Sequence, residues 1–177
     1  MGRWPIHALV YFNNGSHQLT PRIEQALIDC GIPIRLYGLD RSHRRANVEL
    51  CRFGNESFLA DLASARAVVC TAGNQLIGEA LHFQKPMLVL PEPTVEQRLN
   101  ARAIQSMGIG EVASFRQLSA VRIVDFMARV DGYAARLAEY RVDGRSEAIS
   151  TLDSWFEELR TEQQQRMQRR RLVESTT

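Results

Sequence analysis

No stretch of this chain approaches the ~20 consecutive apolar residues that a membrane-spanning helix needs. The amino-terminal "MGRWPIHALVYF" holds an apolar run too short for a secretory signal. Charge of one sign is also missing: a net charge of +2 and a pI near 8.6 fall short of the basic footprint of a nucleic-acid binder. The one dense basic run, Arg169 to Arg171, lies in the tail, so no nucleic-acid partner is expected. Cysteine is scarce. Cys30, Cys51 and Cys70 are an odd number without metal-ligand spacing, and two of them sit in apolar runs where cysteine behaves as a small hydrophobe. With no Asp-x-Asp run and no histidine cluster, neither a metal nor a cofactor is implied. These absences together point to a reducing, cytoplasmic setting, although a piece cut from a longer chain would look the same.

What is present is α/β material. At 177 residues the chain fits one domain, or one domain plus an extension. "HALVYF", His7 to Phe12, reads as a first strand and ends at the loop "NNGSH". Thr20 and Pro21 open a helix as cap and first-turn proline, with a stop at Gly31. Ile32 to Leu39 and Val48 to Phe53 read as further strands, and Asn55 is placed as the cap of a helix through Phe58, Leu59 and Leu62. Ala67 to Thr71 is the most strand-like run of all. Gln75 to Phe83 is expected as helix, Met87 to Leu90 as strand and Val95 to Met107 as helix. After Gly110 the pattern reads as wholly helical: Leu118 to Val130, Ala134 to Tyr140, then Glu147 to about Val173. The last segment spaces Ile149, Leu152, Trp155, Phe156 and Leu159 as a helical stripe expected to dock, then loses it in "EQQQRMQRRR".

A β-α alternation with tight turns predicts a doubly wound, Rossmann-like parallel sheet with helices on both faces and a helical C-terminal extension. Ligands in such sheets bind at the carboxyl ends of strands, and that is where the unusual polar residues fall. Gly73 lies between a strand end and a helix start, where glycine lets backbone approach a phosphate and free N–H groups receive it; a tight turn needing glycine for its dihedrals is the competing account. Glu79 falls at the edge of an apolar helical stripe, beside Gln75 and His82, placed to accept bonds from the paired hydroxyls of a ribose or simply to be solvated. Thr94 with Gln97 fits a capping box and Glu96 suits a first helical turn, yet Glu96 and Asn100 line up with the stripe that faces the fold and need partners there. Gly15 and Ser16, inside "NNGSH", have the makings of a second phosphate cradle. His17, His43 and His82 invite no catalytic reading.

From Phe58 to Val112, and more loosely back to His7, the chain resembles the C-terminal, donor-binding half of a GT-B glycosyltransferase. The shared features are a strand, a glycine turn (Thr71-Ala72-Gly73), a helical glutamate (Glu79), "QKP" at Gln84 to Pro86, Pro91, and "EQ" with "NA" at Glu96-Gln97 and Asn100-Ala101. Thr71 stands where the family often has histidine or asparagine, and Gln84 where it has glycine. The resemblance implies that Thr71, Gly73, Asn74 and Gln75 lie at the diphosphate, Glu79 at the ribose, Glu96 and Gln97 at the transferred sugar, and Arg52 and Phe53 at the base, with Asn100 bracing the site. It implies a UDP-sugar donor, a nucleotide-sugar-binding domain over residues 1–145, and a C-terminal helix and charged tail over 146–177. The acceptor-binding domain or subunit that such enzymes need is not in this sequence. The chain therefore reads either as a fragment or as one subunit of a split enzyme, peripheral at the membrane through its partner, with no catalytic residue assigned. Pairing of two copies through the C-terminal helix is a further expectation, and a non-catalytic nucleotide-binding or interaction module on the same fold is the alternative reading.

Overall fold

The computed structural model describes residues 6–13, 15–39, 41–140 and 144–174, with the side chains of residues 16, 165, 166 and 168–174 outside that description. It contains two compact units, Met1–Glu139 and Tyr140–Thr177.

The first unit is built on a seven-stranded sheet in the order β3-β4-β2-β1-β5-β6-β7. Its strands are β1 (Ala8–Tyr11), β2 (Ile34–Tyr37), β3 (His43–Arg45), β4 (Val48–Leu50), β5 (Ala67–Cys70), β6 (Met87–Val89) and β7 (Gly110–Val112). All neighbours are parallel except the edge pair β3–β4. Counting only the parallel strands in chain order, the arrangement is 3-2-1-4-5-6, the doubly wound order, and growth of the sheet reverses between β1 and β5. At that reversal Tyr11 pairs with Cys70, and the long helices that follow the two strands in the chain pack on opposite faces of the sheet.

Parallel strands buried on both faces must be apolar on both, and β1 shows why "ALVY" folds as it does. Ala8, Val10 and Phe12 join Ile23 and Leu27 of α2 (Pro21–Asp29) and Ile123, Phe126 and Val130 of α6 (Ala120–Glu139) in one core. Leu9 joins Leu62 of α3 (Asn55–Ser64), Leu76 and Ala80 of α4 (Asn74–His82) and Ile104 of α5 (Val95–Met107) in the other. Helices on both faces of a Rossmann-like sheet are thus observed.

The caps explain where several helices begin. Thr20 Oγ1 accepts the Ile23 amide with Pro21 in the first turn, and Thr94 Oγ1 accepts the Gln97 amide. Asn55 is not a cap: the cap position is Gly54, without a side-chain bond, and Asn55 is the first helical residue. Part of "NNGSH" forms a helical turn, α1 (Gly15–Gln18). Two strands have no counterpart in the sequence reading. The first, β3, is a three-residue exposed edge, His-Arg-Arg, with no apolar alternation to reveal it. The second, β7, is equally short, and its first residue is a glycine. Where a break was expected around Gly132, α6 continues, because Ile123, Phe126, Val130 and Leu137 keep one buried stripe across the glycine. That burial outweighs the ~1 kcal/mol an interior glycine costs.

The second unit holds α7 (Gly144–Glu174). Its stripe of Ile149, Leu152, Trp155, Phe156 and Leu159 is 47–60% exposed. Among the described residues no helix is long and apolar enough to cross a membrane.

Candidate functional site

A cavity of about 420 Å³ lies where the sheet order reverses, lined by Tyr11 and Asn13 after β1, Phe53 and Phe58 around the start of α3, Gly73, Asn74, Gln75, Leu76 and Glu79 of the β5–α4 segment, and Glu96 of α5. One wall is polar and belongs to α4 and α5; the other is aromatic and belongs to the β1–β4 half.

The polar wall starts at a glycine that the protein itself does not require. Gly73 has φ −70° and ψ 144°, open to any residue, and a Cβ built there would meet nothing within 4 Å. The left-handed residue of the turn is instead Ala72, with φ 68°. The account of Gly73 as a residue demanded by turn dihedrals therefore fails, and the bare space beside it belongs to the cavity. Asn100 of α5 holds the turn: its Nδ2 donates to the Ala72 carbonyl at 3.0 Å and to Asn74 Oδ1 at 2.6 Å. The Asn74 amide, first in α4, donates to Glu96 Oε1 at 3.1 Å. One turn further, Gln75 Nε2 donates to Glu79 Oε1 at 3.1 Å, and Glu79 is half-buried at the cavity edge.

Gln97 lies elsewhere. It is buried, and its Oε1 accepts the Glu92 amide at 2.8 Å rather than the Thr94 amide that a reciprocal capping box would use. Glu96 corrects the expectation of a core-facing position: it is exposed and lines the cavity, with its carboxylate on the Asn74 amide, while Asn100 one turn on is half-buried. Thr71 is buried below the cavity and touches Asn13, Oγ1 to Oδ1 at 3.4 Å. Gly15 does not line the cavity; a Cβ there would collide with the Gly38 carbonyl oxygen, so close packing of two loops demands this glycine. Ser16 lies in α1 and its side chain is outside the description. Arg52 is exposed and not part of the lining, whereas Phe53 is 58% exposed and is part of it.

The aromatic wall was largely missed. Phe58 is its centre, with ring centroids 5.2 Å from Phe53, 5.8 Å from Tyr11 and 5.0 Å from Tyr37. Beneath it, the buried Arg35 guanidinium pairs with Asp61 Oδ1, and the Tyr37 hydroxyl donates to Asp61 Oδ2 at 2.6 Å. Burial, then the Asp61 acceptor, raises the Tyr37 hydroxyl above its ordinary pKa, so it stays a donor and fixes the ring under Phe58. Burial likewise pushes the Cys70 and Cys51 thiols up to about 11, which keeps both protonated and unreactive near neutrality. Asn13 was also missed as a site residue, though it lies two residues past the end of β1; its Oδ1 takes a bond from Gln18 Nε2 at 3.0 Å, and the same nitrogen reaches Glu92 at 2.7 Å. Among the described residues no group of His, Cys, Asp and Glu side chains is clustered to hold a metal ion.

A doubly wound sheet with a cleft at its reversal, a bare glycine opening α4 and a carboxylate one turn in defines the Rossmann-like class of fold, in which ligands sit beyond the carboxyl ends of the strands. The chain belongs to glycosyl transferase family 1, whose family model matches residues 4–131. No curated protein sequence matches it. Among solved structures it is similar in fold to the glycotransferase of kitacinnamycin (19% identity, TM-score 0.61), covering 79% of this chain and 40% of that one. It is similar also to the glycosyltransferase SnogD from Streptomyces nogalater (19% identity, TM-score 0.61), covering 78% of this chain and 38% of that one. The spinosyn rhamnosyltransferase SpnG complexed with thymidine diphosphate matches at 20% identity and TM-score 0.57, over 77% of this chain and 41% of that one. The chain thus spans about 40% of the length of the glycosyltransferases it matches.

Proposed function

We propose that this chain is the donor-binding part of a glycosyltransferase, taking a pyrimidine nucleotide sugar and transferring the sugar only together with an acceptor-binding domain or subunit. The observation that carries the reading is Gly73: neither backbone conformation nor packing within the chain calls for glycine, so its bare face is best explained by something that must come close to it. At a helix N-terminus that something is an anion, and the diphosphate of a nucleotide sugar fits. The ribose hydroxyls then fall to Glu79, the base to the aromatic wall of Phe53 and Phe58, and the transferred sugar to the side of Glu96. As the glycosidic bond breaks, the amides opening α4 stabilise the leaving diphosphate; the base that activates the acceptor comes from the acceptor part.

The uridine nucleotide is the leading donor class, and thymidine diphosphate, bound by SpnG, is the comparison to make. Titration calorimetry of the full chain with UDP, dTDP and their hexose conjugates tests the reading. Saturable binding of one series supports it, and a flat panel overturns it. Gly73→Ala sharpens the test. With nothing within 4 Å of the new Cβ, the melting temperature should hold, while affinity for the nucleoside diphosphate should fall roughly tenfold, the scale of one charge-assisted hydrogen bond.

A further inference from the structure

The Asn74 amide is the first of the N-terminal donors of α4, which have no acceptor within the helix itself. An anion of the chain's own is already there. Glu96 reaches across from α5 and accepts the Asn74 N–H at 3.1 Å. The residue is exposed, lines the cavity, and among the described residues has no other hydrogen bond or ion pair. A side chain held at one point at the surface can swing away at small cost, unlike the buried Gln97 beside it.

Two anions cannot share one N–H group, and like charges a few ångströms apart repel. We propose that Glu96 is a built-in competitor for the diphosphate subsite, and that this competition makes the site prefer the sugar nucleotide to the bare nucleoside diphosphate. The inference rests on the reading of the α4 N-terminus as the diphosphate subsite. An incoming diphosphate displaces the carboxylate, which must then find other donors. The hydroxyls of a transferable sugar supply them, and a nucleoside diphosphate without its sugar does not. Glu96 thereby favours loading of the donor and release of the nucleoside diphosphate left after transfer. A purely structural Glu96, capping α4 from a neighbouring helix, would alter stability and leave this preference untouched.

The test is calorimetry of the full chain and of Glu96→Gln, which keeps the side-chain shape and removes the charge, with UDP, dTDP and the corresponding hexose conjugates. Glu96→Gln should bind the nucleoside diphosphate roughly two- to fivefold tighter than the wild type, the scale of an anion at a helix N-terminus. The gain should shrink as salt is raised, and affinity for the sugar conjugate should not rise with it. Equal or weaker binding of the nucleoside diphosphate by Glu96→Gln overturns the competition while leaving the diphosphate reading intact. No binding of any nucleotide by either protein overturns both. A wild-type measurement covers the case of a variant that folds poorly: the Asn74 amide resonance should shift on saturation with the nucleoside diphosphate, and a resonance that stays in place also overturns the proposal.

Discussion

The two walls of the cavity are held by different physics. The α4–α5 wall is made of exposed or half-buried polar groups joined by hydrogen bonds: Asn74 to Glu96, Gln75 to Glu79, and Asn100 to the Ala72–Asn74 turn. The β1–β4 wall is made of aromatic rings seated on a buried charge network, Arg35 with Asp61 and Tyr37. Changes on the first wall should therefore be felt in ligand affinity, and changes beneath the second should be felt first in folding.

The sharpest way to break this contrast is Asp61→Ala. It leaves the Arg35 guanidinium buried beside an empty space and strips the Tyr37 hydroxyl of its acceptor, so the loss should be about 3 to 5 kcal/mol of stability by denaturant titration. An intact denaturation midpoint would show that the network does not hold the aromatic wall. Glu79→Ala should do the opposite. Nucleoside diphosphate affinity should drop by about 1 to 3 kcal/mol, the range for losing a charged hydrogen-bond partner, with the melting temperature hardly moved. An unchanged dissociation constant by calorimetry would remove Glu79 from the ribose. The smallest effect is expected from Gln97→Ala, which frees the Glu92 amide and should cost about 1 kcal/mol of stability without changing affinity for nucleotide or sugar nucleotide. A selective loss of sugar-nucleotide affinity would instead put Gln97 on the sugar, as the family resemblance implies.

The same contrast explains what could be read in the sequence. The α4–α5 wall follows from local chemistry: a glycine after a strand, a glutamate at a helical offset, a threonine cap that starts α5 at Val95. Each is a pattern within a few residues, and each was found. The residues of the β1–β4 wall carry no such local mark, and on both walls the pairings span long stretches of chain that no local period connects: 26 residues for Arg35 with Asp61 and 24 for Tyr37 with Asp61, 22 for Asn74 with Glu96 and 28 for Ala72 with Asn100. Phe58 and Tyr11 read as ordinary core residues because, by composition, they are. Gly15 shows the converse: a glycine after a strand suggests an anion cradle, and only the fold supplies a packing reason for it, pressed against Gly38.

By itself the sequence determined the layered α/β class, the polar residues at the strand ends and the threonine cap of α5, because hydrophobic period and capping act over one or two turns of chain. The tertiary structure alone decided which of those residues meet. The reversal of sheet growth between β1 and β5 brings Asn13, Phe53 and Phe58 opposite Gly73 and Glu79, and packing α5 beside α4 sets the Glu96 carboxylate on the Asn74 amide. Such meetings are fixed by strand order and helix packing, and these depend on contacts between residues far apart in the chain.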